Sequence, residues 1–382
     1  MPPQLRIPQP QVVAQSGITG LRDVASHCVR LHAWNPAAPH HEVLASLGHQ
    51  AGRRSLSSHL VWAKTKDPFL LYIMVAAVLG FLLPTSGAAT TALAWATKVA
   101  IFLLFFGYGA RLSASETWSG LRHWKLHLTI FSCTFLAFPL IGLGLLHLPW
   151  YSTGIALGMA FLTLVPSTVQ SSITFTSIAG GNIAGAIVSA TASNLLGVAL
   201  TPLLVMALLP TTGTVSIGWG SFGAVASQLL LPFILGQLSR RWTADFMARN
   251  KAKLKWPDQG VICLVVYGAF GDLRQSGITV TGVELLIMLA LCLIVLACML
   301  AFTWWLARTL GFSRDDEIAI VFCGTKKSLA TGVPMATVLF AGQAVGLIVF
   351  PLMVFHTLQL IACTFIAQRY AAGGKAVASE SR

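Results

Sequence analysis

Two adjacent lysines, Lys326 and Lys327, stand in the stretch FCGTKKSLATGVP at 322–334. They fall near the middle of an apolar run, 317–341, about 14 Å from its start at ~1.5 Å per helical residue. A lysine at the centre of a membrane-spanning helix costs roughly 2.5–3.5 kcal/mol on insertion scales. The alternative is that the span starts nearer Thr325 and the lysines snorkel from its end, and the apolar run IAIVFC at 318–323 ahead of the pair weighs against it. Consecutive helical residues project ~100° apart, so one lysine can line a cavity while the other faces a neighbouring helix. No Asp or Glu lies at the centre of an apolar run. Two kinds of partner remain, carbonyls of a broken helix or an anionic solute. Lys98 lies toward the end of its own apolar run and is expected to snorkel.

A second polar stretch, VPSTVQSSITFTSIAGGN at 165–182, contains Gln170, Ser171, Ser172 and Asn182. Like the lysine stretch, with Thr325 and Ser328, it sets Gly and Pro inside an otherwise apolar segment. A helix broken at membrane depth frees backbone groups, tolerated where protein or a water-filled cavity satisfies them. Paired interruptions at corresponding places in two halves point to a transporter's binding site. The ordinary alternative is that these hydroxyls bond to the preceding turn or join helices. His356 and Gln359, three apart in PLMVFHTLQL, share a helix face. They form either a buried structural pair or a proton-relay or substrate contact.

These residues need a scaffold that crosses a membrane. The 382-residue chain is 55% hydrophobic and only 10% charged, against about 25% charged in soluble domains. Its mean hydropathy is +0.74. Apolar stretches long enough to cross a ~30 Å hydrocarbon core recur at 68–84, 88–110, 125–147, 154–179, 183–208, 218–239, 258–271, 282–307, 317–341 and 343–367. Arg111, Arg122 and Lys125 follow the second stretch. Arg240, Arg241, Arg249, Lys251, Lys253 and Lys255 follow the sixth, and Arg308 and Arg314 the eighth. By the positive-inside rule this bias places both termini in the cytoplasm. Ten stretches divide into two halves of five. An odd number makes the second half enter from the opposite side, the geometry of an inverted repeat.

The fold class expected is an all-α polytopic membrane protein of ten transmembrane helices. Helices four and nine are broken and crossing. Repeat one is 67–208 and repeat two 218–370, within a transporter domain at 67–370, with a flexible tail at 371–382. Residues 1–66 are rich in Pro, Gln, His, Ser and Arg. They lack a secretory leader pattern and are read as a disordered or mis-assigned tail. The net charge of +13 is scattered between apolar runs, which excludes a nucleic-acid face. Six of the seven cysteines lie in apolar runs without metal-ligand spacing. Neither HExxH nor GxSxG occurs, so no enzyme, metal or cofactor is expected.

PSTVQSSITFTSIAGGN at 166–182, SATASNLLGVALTPLL at 189–204, FCGTKKSLATGVPMA at 322–336 and FHTLQL at 355–360 resemble the bile acid:sodium symporter family, in its symporter-like branch. The resemblance covers about 68–370. It implies a core domain in which helices four and nine cross, and a panel domain from helices one, two, six and seven. It also implies substrate binding between the two and alternating access. Sodium-coupled members use a Glu just before the Gly of the ninth-helix motif and a Gln two residues after it. Matched on Gly324, these positions hold Phe322 and Lys326. A Ser-Asn pair of the fourth helix matches Ser172 and Ile173, and two hydroxyl ligands of the fifth match Ala186 and Ala190. Ser189 and Thr191 stand beside those positions. The departures count against the relatives' sodium site and leave the coupling ion open, with proton coupling through Lys326 or His356 a weaker variant.

The function expected is secondary transport of a small organic anion across the cell membrane, bacterial inner or plasma. Lys326, with Lys327, supplies positive charge where relatives bind sodium. Gln170, Ser171, Ser172, Asn182, Ser189 and Asn194 line the opposite wall. The alternative is a regulatory membrane protein on a transporter fold.

Overall fold

The computed structural model describes residues 68–111, 123–148, 153–209, 223, 226–278 and 280–380. The expectations for 1–66 and for 218–225, apart from residue 223, lie outside these. Among the described residues every regular element is helical. The elements are α1 (Pro68–Leu82), α2 (Ala88–Arg111) and α3 (Trp124–Leu146), the last containing a π-helical turn at Cys133–Ala137. They continue with α4 (Thr153–Leu164), α5 (Val169–Ala179), α6 (Ile183–Leu208) and α7 (Leu231–Arg249), which is entered through a π turn at Ala226–Leu230. Next come α8 (Lys251–Gln275), α9 (Gly282–Thr309), α10 (Arg314–Gly324), α11 (Leu329–Leu339) and α12 (Val345–Glu380).

Five of these are long and apolar enough to cross a membrane: α2, α3, α6, α9 and the Val345–Gly373 part of α12. A sixth forms if α4 and α5, bent by 58° at their break, count as one span. Helices α10 and α11 have 11 residues each, about 16 Å apiece, so neither half reaches across alone. Three expectations are corrected. The seventh apolar stretch is the middle of a 25-residue helix that accommodates Pro257. The basic residues expected in the loop after the sixth stretch are helical instead, since only Asn250 separates α7 from α8. The last helix also runs on to Glu380, beyond the 367 read from hydropathy.

Local signals explain the boundaries that matter. Gly180 takes the left-handed conformation, φ 75°, which costs a glycine little. It ends α5, and Gly181 N–H closes back on Thr176 O at 2.9 Å. Asn182 then caps α6 by accepting from Gly185 N–H at 2.8 Å. Thr281 and Glu284 form a reciprocal capping box at the start of α9. Ser328 caps α11, accepting from Thr331 N–H at 3.3 Å.

Helix α1 packs along α8, and α2 along α7, with glycine at both crossings. A side chain at Gly80 would meet the Tyr267 carbonyl. One at Gly109 would meet Phe233 O, and one at Gly236 would meet Phe106 O. Small residues let backbones approach where lipid offers no hydrophobic drive. The main core lies among α4, α9, α11 and α12, with Phe161 edge-on to Phe340 and Phe138 edge-on to Phe355. Large apolar side chains such as Leu71, Val78, Leu103, Leu286 and Ile294 are exposed on outer helix faces, as a lipid-facing surface requires.

The crossings give a stability prediction. Gly236→Val places atoms on the Phe106 carbonyl and is expected to cost roughly 1–3 kcal/mol, read as a lower unfolding midpoint in detergent. Gly260→Ala, where nothing lies within 4 Å, is expected to leave the midpoint level or raise it. Equal midpoints for the two variants would contradict the close crossing.

Candidate functional site

The two interrupted segments break alike. Residues 165–168 between α4 and α5, and 325–328 between α10 and α11, leave the helix for the same number of positions. The breaks lie against each other. Ser328 N–H donates to Pro166 O at 2.8 Å. Ser167 Oγ donates to Cys323 O at 2.7 Å, and Ser172 Oγ to Phe322 O at 3.2 Å. Each hydroxyl takes up a carbonyl that the end of α10 leaves unpaired.

Lys327 is the keystone of this contact. Its side chain is 0% exposed. The ammonium donates to Thr163 O at 2.7 Å, Val165 O at 2.9 Å and Thr134 O at 2.9 Å. Those are all three of its donors. The face of Phe138 lies 4.1 Å from the nitrogen. The Lys327 main chain is held as well, with its N–H on Gln359 Oε1 and its carbonyl on Gln359 Nε2, both at 2.9 Å.

One of those three carbonyls lacks a helical donor for a covalent reason, and the other two because a helix ends. In the π turn of α3, Phe138 N–H donates to Cys133 O. The next bond in that register would run from residue 139 to Thr134 O, but residue 139 is a proline and has no N–H. At the end of α4, Thr163 O and Val165 O lose their helical donors to the break. Nearby groups are satisfied otherwise: Leu164 O by Thr201 Oγ at 2.9 Å, and Ser167 N–H by Ser193 Oγ at 3.1 Å. The C-terminal end of a helix also carries partial negative charge, which favours a cation there.

Lys326 differs in every respect except burial. It too is 0% exposed, yet among the described residues its ammonium has no hydrogen-bond partner. It rests over the ring of Phe175 at 4.3 Å, with Phe322 at 5.9 Å. Cation–π contacts are worth ~0.5–2 kcal/mol, well short of what burying a charge without hydrogen bonds costs. Among the described residues neither lysine forms a salt bridge.

The other predicted residues divide into three groups. Ser172, Thr325, Ser328 and Gln359 lie at the contact between the breaks. Thr325 Oγ bonds back to Val321 O at 2.6 Å. Asn194 joins them, since Thr331 Oγ donates to Asn194 Oδ1 at 2.9 Å and bonds Ser328 Oγ at 2.5 Å. His356 adjoins as well, with Nδ1 2.8 Å from Gln359 Nε2 and 3.4 Å from Lys327 O. Gln170 and Ser171 sit on the first turn of α5. Ser171 is bonded to Thr168, and Gln170 is exposed. Ser189 and Asn182 are drawn elsewhere. Ser189 is buried against His127 Nδ1 at 2.7 Å. Asn182 is tied to the start of α10, through Asp316 Oδ1 at 2.8 Å and Asp315 O at 2.8 Å. It belongs to a polar cluster at that end, where Glu317 accepts from Arg308 at 3.0 Å and Tyr370 at 2.7 Å. Sequence reasoning missed Thr134, Thr163, Val165, Ser167, Ser193 and Phe175. Pro139 was the available signal for Thr134, because it removes that carbonyl's donor, and Pro166 marked the break at which Thr163 O and Val165 O lose theirs.

The chain is similar to known membrane transport proteins. The chain is 49% identical over 309 residues to "Uncharacterized protein PA2026" of Pseudomonas aeruginosa, covering 80% of this chain and 93% of the relative. It is 42% identical over 313 residues to "Putative symporter YfeH" of Escherichia coli, covering 80% and 92%. It is 31% identical over 310 residues to "Sodium/bile acid cotransporter 7-B" of Xenopus laevis, covering 78% and 89%. These names and the apolar helices mark an integral multi-pass membrane protein and a transporter rather than an enzyme. With residues 67–372 matching its family profile, the chain belongs to the SBF-like CPA transporter family.

Proposed function

We propose that the chain is a secondary transporter of a small organic anion, working by alternating access, in which Lys327 occupies the place of a coupling cation and Lys326 meets the anion. The observation that carries this is the pair of buried ammonium groups at the contact between two broken helices. One is fully hydrogen-bonded and the other is not. Three carbonyl oxygens at 2.7–2.9 Å around Lys327 Nζ form the kind of oxygen cage a bound cation receives. A tethered ammonium supplies that charge from within the chain. The Lys326 ammonium has no hydrogen-bond partner among the described residues, which suits a carboxylate or similar anion.

The proposed architecture is ten helices in two inverted repeats, 67–208 and 218–370, in the cell membrane with both termini cytoplasmic. Packing supports it. Exchanging the halves maps the α1–α8 pair onto the α2–α7 pair, and the α4–α5 break onto the α10–α11 break. Lys326 is enclosed in this conformation, so its site opens only when the parts move.

A second reading has an observation of its own. Lys327 is saturated and Lys326 is shut away from solvent, as in a regulatory protein that kept the fold without transport. Variants separate the two readings. Lys326→Ala relieves a buried charge, and is expected to hold or raise the unfolding midpoint while uptake into liposomes falls at least tenfold. Lys327→Ala strands three carbonyls, at ~1–3 kcal/mol each, and is expected to lower the midpoint and abolish uptake. Uptake undiminished in Lys326→Ala would refute the anion role, whereas an intact cellular phenotype with no uptake in either protein would favour the regulatory reading.

The tethered cation also predicts the coupling. Uptake by purified protein in liposomes is expected to proceed at the same rate when sodium is replaced by potassium. Strict dependence on sodium would defeat the assignment of Lys327. A rate that responds to an imposed pH gradient would identify proton coupling, and its loss in His356→Gln would place the proton on that histidine.

A further inference from the structure

A second site lies well away from the breaks, where α7 leaves its apolar stretch. The helix reads LPFILGQL and then SRRWTADFMAR, to Arg249. From Arg240 to Asp258 the chain carries six basic residues, Arg240, Arg241, Arg249, Lys251, Lys253 and Lys255, against Asp245 and Asp258. Asp258 is already bound by Arg111 through two bonds of 2.6 and 2.9 Å. The surface is therefore strongly positive. It is aromatic too: Trp242 is 68% exposed, Trp256 64% and Phe246 56%. The Arg241 guanidinium stacks over Trp242, 3.7 Å from the ring centroid. An open cavity of about 680 Å³ is lined by Gln237, Leu238, Arg240, Arg241, Trp242 and Ala244. Directly before it on α7, Ile234, Leu235 and Leu238 are exposed.

This order of features has a physical reading. Apolar side chains facing outward belong in the hydrocarbon of the bilayer. Tryptophan settles at the level of the headgroups, where its ring is buried and its N–H is wet. Arginine just beyond meets phosphate in a two-pronged geometry. A small soluble anion would need the charge but not the indoles or the apolar rail. We propose that this cavity binds the headgroup of an anionic phospholipid. The phosphate sits on Arg240 and Arg241, Trp242 lies at the boundary, and an acyl chain runs along Leu238 and Ile234. Because α7 packs on α2 through Gly236 and Gly109, a lipid held here braces that pair against the membrane surface.

The test uses the full-length protein in detergent, titrated with phosphatidylglycerol or phosphatidylcholine, read by thermal unfolding and by native mass spectrometry. Phosphatidylglycerol is expected to remain bound and to raise the unfolding midpoint, with phosphatidylcholine doing neither. Arg240→Gln/Arg241→Gln is expected to weaken phosphatidylglycerol binding about tenfold or more, and Arg240→Lys/Arg241→Lys to retain most of it. Should the double glutamine variant fail to fold, Arg241→Gln alone carries the same expectation in weaker form, since that side chain is exposed. Equal effects of the two lipids, unchanged binding in the glutamine variants, or an equal shift from soluble glycerol phosphate would each overturn the site.

Discussion

The Lys327 ammonium sits on the carbonyls of Thr134, Thr163 and Val165, and the arrangement of the core depends on that contact. Two helices end in mid-protein against each other, a layout that leaves unpaired donors and acceptors in a place without bulk water. One cation with three donors joins α3, the end of α4 and the break before α11 at a single point. Gln359 then fixes the main chain of that lysine from α12. Four separate parts of the chain thus meet around one residue. Packing alone could hold them close, but it would leave the three carbonyls without donors.

Proline and small hydroxyl residues divide the rest of the work. Pro139 and the π turn before it release one carbonyl from α3. Pro166 sits in the first break, where its own carbonyl takes the Ser328 amide. Ser167, Ser172, Ser193 and Thr201 then bond further backbone groups around the two breaks. The serines and threonines that look like a polar pathway in the sequence are thus partly a substitute for helical hydrogen bonds. The same accounting isolates Lys326. Among the described residues its ammonium is left with the aromatic faces of Phe175 and Phe322 alone.

The sequence was most legible where covalent structure dictates the outcome. The apolar lengths of α2, α3, α6 and α9, the glycine stop at Gly180 and the interruptions at Pro166 and Gly324 are all readable residue by residue. The ends of α7 and α8 were not. Their charged residues match the composition of a loop, yet an arginine- and lysine-rich segment is equally content in a helix that projects beyond the apolar layer. Ser189 and Asn182 were grouped with the breaks because of their polarity and position. The structure gives them His127 and Asp316 as partners instead.

By itself, the sequence determined that this is an all-helical membrane protein with two interrupted helices and two lysines in one of the interruptions. Hydropathy, proline and glycine act locally, so those features need no knowledge of neighbours. Only the tertiary structure decided which lysine does what. The two are adjacent and chemically identical, and their difference comes from direction. Lys327 points at three carbonyls that Pro139 and the first break have freed, about 160 to 190 residues earlier in the chain. Lys326 points at Phe175 and Phe322. A partner that far away in sequence becomes a neighbour only when the helices pack.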